Sequence, residues 1–214
     1  MSIQKNIGYG TAIASGIVFL AILFMLPDEG GTALDQYVAA KAEEMRGEGA
    51  TAWWEPLTML GSSAALIAVT ILLSLVIGWL TGPRYVWPIP ISMAIAYALN
   101  SGIKLIVDRP RPDGAWGISV SGASFPSGNA MLAMVLYGLC AIWIVEGLGL
   151  SRTAKWTVRV MAAIIIAAMG LSRLYFSVHY ATDIIAGYAA GGVVVGAALA
   201  AAPLSKLRKR RGPS

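Results

Sequence analysis

The segment 172–183, SRLYFSVHYATD, holds the one histidine of the chain, His179, between an arginine and an aspartate. Asp183 follows His179 by four residues, so on a helical backbone the two side chains share a face and the carboxylate can hold one imidazole nitrogen. The other nitrogen is then free to attack or to bind. Arg173, six residues before His179, can bring a guanidinium fork suited to phosphate. Taken alone, the segment is more typical of a buried structural histidine with satisfied hydrogen bonds than of a functional one. It is, however, accompanied by other motifs.

The elements that must position these residues are apolar. The 214 residues are 57% hydrophobic and only 13% charged, and mean hydropathy is +0.69. Several apolar runs are about 20 residues long, enough to cross a hydrocarbon core of about 30 Å as helices. The sequence therefore predicts one all-α, polytopic membrane domain over residues 1–214 and excludes a soluble enzyme. The single cysteine, Cys140, excludes an internal disulfide and a cysteine-based zinc site.

Six spans are predicted, with a short amphipathic helix after the first. That helix falls within residues 32–57 and is expected to lie in the interface, with Trp53 and Trp54 at the level of the headgroups. The first run is interpreted as a span and not a signal peptide, because no cleavage motif follows it. Glycines spaced by four in the last span predict close helix packing at 187/191 and 192/196. The spans lie at about residues 7–26, 60–80, 86–106, 126–145, 160–176 and 182–202.

Six spans place both termini on one side, which the basic residues identify as cytoplasmic. The basic tail is expected to bind anionic lipid, and no nucleic-acid partner is predicted. Four cations break this charge rule on the opposite side, in the segments that would surround His179. We therefore expect an active site on the outer face of a cell membrane. The inner-side residues are Lys5, Arg84, Arg152, Lys155, Arg159, Lys206, Arg208, Lys209, Arg210 and Arg211, and the exceptions are Lys104, Arg109, Arg111 and Arg173.

Three motifs follow one another at the ends of the third, fourth and fifth spans. Lys104 and Arg111 with Pro112 form K-x6-RP, residues 126–128 are PSG, and residues 172–183 contain SR-x5-H-x3-D. In this order the motifs resemble the type 2 phosphatidic acid phosphatase superfamily of membrane lipid phosphatases. The resemblance implies a six-span fold and a membrane lipid phosphate or diphosphate as substrate. It implies nothing about the oligomeric state.

The resemblance also implies roles that agree with the chemistry of the residues. A phosphate ester carries close to two negative charges, so its transfer needs several fixed donors. His179 would be the nucleophile, forming a phosphohistidine that water hydrolyses, and Asp183 would orient it. No acidic cluster typical of magnesium sites accompanies them, so neither a metal nor a cofactor is expected. The expected phosphate ligands are Lys104, Arg111, Arg173 and the backbone of Ser127 and Gly128 at a helix N-terminus, with Arg109 as an auxiliary contact.

One position departs from the family pattern. Where PSG continues with a histidine that protonates the leaving group, this chain has Asn129. An amide can donate a hydrogen bond but cannot deliver a proton to an alkoxide. Three accounts stay open: a diphosphate substrate, whose leaving group is already a stable anion; an inactivated variant; or a protein that binds phospholipid without turnover. A lipid phosphotransferase is a further alternative, because a phosphohistidine can also pass its phosphoryl group to a lipid hydroxyl.

Overall fold

The protein is all-helical over the residues that the computed structural model describes, 3–27, 30–82 and 86–201. Eight helices and no strand lie in these ranges, which agrees with the predicted all-α class. The helices are α1 (Ile3–Met25), α2 (Ala33–Glu44), α3 (Glu48–Leu60), α4 (Ser63–Thr81), α5 (Pro88–Val107), α6 (Gly128–Gly147), α7 (Arg152–Tyr175) and α8 (Ala181–Ala201).

Five helices are individually long and apolar enough to cross a membrane: α1, α5, α6, α7 and α8. The remaining predicted span, the second at about residues 60–80, corresponds to α4, which follows α3 after a bend of 65° at Gly61 and Ser62. Counted together, α3 and α4 make the sixth candidate span as a bent pair. The predicted architecture, a polytopic helical membrane protein, is thus confirmed.

The local sequence explains where these helices begin. Ser62 accepts a hydrogen bond from the Ala65 N–H at 3.3 Å, and Ser151 accepts one from the Ala154 N–H at 3.2 Å. Pro88 occupies the first turn of α5, where its missing N–H costs nothing. These three helices therefore start at residues that suit a helix N-terminus.

Three predicted boundaries need correction. The fifth span was expected to begin at residue 160, but α7 already begins at Arg152, because its basic residues lie in the first turns of the helix and not in a loop. The fourth was expected to begin at Pro126, but Ser127 is the N-cap and α6 begins at Gly128. The single interfacial helix expected after α1 is two helices, α2 and α3.

The centre of the bundle is formed by α6 and α8, the two most buried helices. Glycines allow the close approach of α8 to its neighbours: a Cβ on Gly187 would lie 2.6 Å from the Ser127 carbonyl oxygen, and one on Gly196 would lie 2.6 Å from the Gly8 carbonyl oxygen. Gly191 likewise approaches α6, and Gly192 approaches α1. The predicted role of these glycines in helix packing is confirmed.

The outer faces of α1, α4, α5 and α7 expose large apolar side chains, as expected of lipid-facing surfaces. Examples are Phe24, Leu72, Leu105 and Ile164. Part of the predicted charge pattern, Arg84 and the basic tail with Lys206, Arg208, Lys209, Arg210 and Arg211, lies outside the described residues.

Candidate active site

The three sequence motifs meet at one end of the bundle, where α5 and α7 end and α6 and α8 begin. The Asn100 side chain of α5 donates to the Pro126 carbonyl at 3.2 Å, which places the PSG segment against α5. The Ser127 N–H donates to the Asp183 carbonyl at 3.0 Å, which ties the same segment to α8. Asn100 was expected to face a site because an amide is costly at that depth, and it supports the segment that builds one.

His179 and Asp183 form the predicted pair. His179 Nδ1 lies 3.3 Å from Asp183 Oδ2, and both side chains are buried. The Asp183 carboxylate is itself held by the Tyr180 N–H at 2.9 Å and by Arg109 Nη1 at 2.7 Å. With Nδ1 directed at a carboxylate, the neutral imidazole carries its proton there and keeps the lone pair on Nε2.

Burial is the main reason why the pKa of His179 is lowered to about 4, and the neighbouring cations Arg111 and Lys104 lower it further. The hydrogen bond and charge of Asp183 act in the opposite direction but do not outweigh the burial. A lowered pKa means that the imidazole is neutral near pH 7. His179 therefore has the protonation state that a nucleophile requires.

Two of the predicted phosphate ligands lie beside His179. Arg111 Nη1 is 3.4 Å from His179 Nε2 and donates to the Val178 carbonyl at 2.6 Å. The rest of the Arg111 guanidinium donates to the carbonyls of Gly122, Ser121 and Ala123. Lys104 Nζ also donates to the Ala123 carbonyl, so both cations converge on one turn of the α5–α6 loop.

Three buried polar atoms near the start of α6 have no hydrogen-bond partner among the described residues: Ser127 Oγ, Asn129 Nδ2 and Arg173 Nε. Arg173 Nη2 donates to the Thr58 carbonyl at 2.7 Å, which brings the last turn of α3 to the site. Gly61, at the bend after α3, packs directly on Asn129 and Arg173, because a Cβ there would collide with both side chains. Buried donors without partners are costly, and an anion would satisfy them.

Two expectations for individual residues differ from the structure. The Ser127 backbone N–H was expected to bind phosphate, but it donates to Asp183, so the unengaged group of Ser127 is its hydroxyl. Arg109 was expected as an auxiliary phosphate contact, but its two terminal nitrogens bind the carboxylates of Asp183 and Asp35. Its guanidinium also lies 3.9 Å from the centre of the Tyr180 ring. Arg109 is therefore a structural partner of the histidine–aspartate pair.

Sequence reasoning did not single out Asp35, Thr182, Thr58 or Gly61. Asp35 was only one acid in a polar segment, yet it is 2% exposed and bonded to Arg109. A signal was present: Thr32 and Asp35 have the spacing of a capping box, and the structure contains that box. Thr58 and Gly61 had no recognisable signal, because their contact with the site depends on the bend between α3 and α4.

Metal ligands do not cluster in this region. Within the described ranges, no group of three or more His, Cys, Asp and Glu side chains is arranged to hold a metal ion. Metal-independent chemistry therefore stays a prediction from the types of residue present.

Comparison with known proteins shows the family to which the chain belongs. The model of the PAP2 superfamily matches residues 85–206, more than half of the chain. The chain belongs to the PAP2 superfamily. The matched region includes all three motifs. The resemblance to membrane lipid phosphatases that the motifs indicated is therefore confirmed.

A curated relative and two solved structures extend this result. Over 93 residues the chain is 37% identical to phosphatidylglycerophosphatase B of Bacillus subtilis, and the match covers 44% of this chain and 46% of the relative, about half of each. The crystal structure of a PAP2-type phosphatidylglycerolphosphate phosphatase from Bacillus subtilis has a TM-score of 0.81 at 22% identity, covering 94% of this chain and 97% of that one. Aquifex aeolicus LpxE has a TM-score of 0.62 at 20% identity, covering 78% of this chain and 96% of that chain. These structures share the fold.

Proposed function

We propose that this PAP2 protein is a lipid phosphatase in which His179 is the nucleophile. The observation that carries the proposal is the position of the imidazole: Nδ1 faces the buried Asp183 carboxylate, while the unprotonated Nε2 accepts, among the described residues, only a long contact of 3.4 Å from Arg111 Nη1. Lys104 and Arg173 add positive charge around the same point, and Arg173 is close enough to Arg111 for the two to repel each other. An anion bound between these cations would offset their mutual repulsion.

The proposed reaction has two steps. The Nε2 lone pair attacks phosphorus, so an N–P bond forms while the P–O bond to the leaving group breaks and its electron pair departs with the oxygen. Water then attacks the phosphohistidine. The N–P bond breaks, its electron pair returns to Nε2, and both hydrogens of the water leave with inorganic phosphate. Asp183 stabilises the positive charge that the phosphorylated imidazole carries.

The substrate class follows from Asn129. Its amide nitrogen is buried, has no partner in the part of the chain that the structure describes and adjoins Arg173, so it can donate a hydrogen bond to a phosphate oxygen. It cannot protonate a leaving alkoxide, which general acids typically accelerate by about 10²–10⁴-fold. A lipid diphosphate avoids this need because it expels a phosphate anion. We therefore propose a terminal phosphate of a lipid diphosphate, such as a polyprenyl diphosphate, as the preferred substrate.

The lipid part of such a substrate has a matching apolar surface. A cavity of about 350 Å³ lies between α4, α5 and α6 and is lined almost entirely by apolar side chains. It lies on the membrane side of the site, since Leu132 of its wall follows Asn129 by about one turn of α6. This location supports entry of a lipid chain from the side, within the bilayer. The lining residues are Leu66, Ile67, Thr70, Ile71, Pro90, Met93, Ala94, Tyr97 and Leu132.

The deciding experiment measures phosphate release in detergent by the natural chain and by Asn129→His, each with a prenyl diphosphate and with phosphatidic acid. We expect the natural chain to cleave the diphosphate much faster than phosphatidic acid, and Asn129→His to gain activity on phosphatidic acid by about 10²-fold or more. Folded His179→Ala should release no phosphate from either lipid. Turnover by His179→Ala would overturn the assignment of the nucleophile.

A non-catalytic protein that binds lipid phosphate is the second candidate, and the same unpartnered Asn129 amide favours it. The two candidates differ in one outcome. Phosphate-dependent lipid binding without any release, even after Asn129→His, would favour the binding protein. Release that depends on an added lipid alcohol would indicate a phosphotransferase.

A further inference from the structure

The first turn of α2 contains a buried acid that no part of the proposed reaction uses. Asp35 is 2% exposed, and its carboxylate is bonded to another helix of the site. Oδ1 accepts from the Thr182 N–H at 2.8 Å, and Oδ2 accepts from the Thr182 hydroxyl at 2.9 Å. Oδ2 also accepts from the Thr32 N–H at 2.9 Å, which closes the capping box of α2. Hence Asp35 joins the start of α2 to the start of α8, where Asp183 lies.

Arg109 bridges the two aspartates. Its Nη2 lies 3.1 Å from Asp35 Oδ2, and its Nη1 lies 2.7 Å from Asp183 Oδ1. Nη1 also donates to the Thr182 hydroxyl at 2.8 Å, so all these groups form one network. At most 5% of the surface of Asp35, Arg109 and Asp183 is exposed, so water screens their charges little.

We propose that Asp35 is a positioning residue for the His179–Asp183 pair and acts on it through Arg109. The inference rests on the proposed function of His179. Asp35 does not touch the imidazole, and nothing in its sequence context, a polar helix in the interface, indicates such a role. The chain of contacts runs from Asp35 to Arg109, then to Asp183, and ends at His179 Nδ1.

The reason is the balance of charge. A guanidinium bound to Asp183 alone would neutralise the carboxylate that must support the imidazole. Because Asp35 shares the same guanidinium, the three groups together keep one net negative charge, and Asp183 remains a strong acceptor for His179 Nδ1–H. That charge also stabilises the cationic phosphohistidine. Hydrogen bonds from the Thr182 and Thr32 backbone, together with those from the Thr182 hydroxyl and Arg109, hold the pKa of Asp35 below its usual value although burial raises it.

The test uses the fact that His179 is the only histidine. Tag-free protein with ¹⁵N-labelled histidine in detergent gives imidazole signals from this residue alone, and these report which ring nitrogen carries the proton. In the natural chain we expect the proton on Nδ1. In Asp35→Asn we expect a larger fraction with the proton on Nε2, which cannot attack. We also expect a fall in kcat of about 10–100-fold, the size seen when a metal-bound imidazole loses the partner that orients it, with KM changed far less.

Thr32→Ala is the matched control, because it removes the other half of the capping box but leaves the Asp35 carboxylate in place. Thr32→Ala should keep the natural imidazole signal and the natural kcat. An equal effect of Thr32→Ala and Asp35→Asn would reduce Asp35 to a helix cap and overturn the inference, as would a natural imidazole signal in Asp35→Asn.

Thr182→Val provides a second variant if Asp35→Asn does not fold. It removes only the hydroxyl that bonds to both Asp35 and Arg109, with little change in side-chain volume. We expect a smaller shift of the imidazole proton in the same direction, and an unchanged signal would contradict the inference. The spectra need no turnover. If the proposed reaction fails, the natural chain releases no phosphate. If the proposed positioning role of Asp35 fails, the imidazole signal does not change, so the two failures are distinguishable.

Discussion

The two ring nitrogens of His179 have different surroundings, and Nε2 is the one available to act as a nucleophile. His179 Nδ1 faces Asp183, whose carboxylate is also held by Tyr180 and Arg109, so the imidazole cannot turn without losing its partner. Nε2 faces Arg111 and the position where a phosphate would lie. At the scale of residues, the motifs predicted this arrangement well, since four-residue spacing at a helix start brings His179 and Asp183 together.

The lowered pKa of His179 leads to a prediction about pH. Because burial lowers this pKa to about 4, the imidazole gains its proton, and loses the Nε2 lone pair, only as the pH falls towards 4. An unperturbed histidine would do so near pH 6.5. We expect the imidazole signals of histidine-labelled protein to titrate with a midpoint well below 6. His179→Ala, which contains no histidine, gives the background spectrum. A titration midpoint near pH 6.5 would contradict a buried nucleophile.

At the scale of elements, the bend between α3 and α4 is the feature that the sequence did not reveal. The apolar run predicted the span at about 60–80, but not that Gly61 and Ser62 end α3 and start α4 at an angle of 65°. The bend brings the Thr58 carbonyl to Arg173 and the Gly61 backbone to Asn129. Periodicity identifies helices but contains no information about an angle between two of them.

Gly61→Ala is expected to damage the site by a steric clash and not by backbone strain. The φ angle of Gly61 is −84°, which any residue adopts, but an added methyl group would collide with the Asn129 amide and the Arg173 guanidinium. Displacement by about 1 Å can lower a rate by about 10²-fold, so we expect kcat/KM for phosphate release to fall by at least tenfold. Gly102→Ala is the control, because a Cβ there meets no atom within 4 Å. Equal activity of both variants would show that the bend does not shape the site.

Basic residues and N-cap serines account for the predicted starts of α6 and α7 that were wrong. Arg152, Lys155 and Arg159 predicted a loop, yet they belong to the first turns of α7, where long basic side chains reach the headgroup region from a helix. Ser127 and Ser151 are better markers of where helices begin, because both are N-caps. The burial of Asp35 could not be predicted from its local sequence, because its partners, Arg109 and Thr182, lie 74 and 147 residues away along the chain.

At the scale of the whole molecule, exposed tryptophans mark both ends of the bundle. Trp79, Trp87 and Trp156 lie at the end opposite the site, and Trp53 and Trp116 lie at the end that holds it. Tryptophan prefers the boundary between lipid and water, so these two groups indicate the two faces of the membrane. The sequence predicted the six spans from composition alone, and the charge rule predicts that the end with the site faces outwards.

Cysteine labelling can test that orientation. The natural Cys140 is buried and should give little background. In intact cells or spheroplasts, a membrane-impermeant maleimide should label Ser121→Cys, in the exposed α5–α6 loop, and should label Thr153→Cys, at the start of α7, only after the membrane is opened. The reverse pattern would place the site on the cytoplasmic side.

The carbonyls that surround Arg111 have a consequence for affinity. Four hydrogen bonds to the carbonyls of residues 121–123 and 178, with His179 Nε2 nearby, already fix the guanidinium before any ligand arrives. The loss of side-chain freedom, and much of the loss of hydration, therefore occurs when the protein folds and not when phosphate binds. A phosphate entering the site meets a cation that is held only by dipoles, which a full negative charge can outcompete. The contribution of Arg111 to phosphate affinity thus depends on the fold of the loop that holds it.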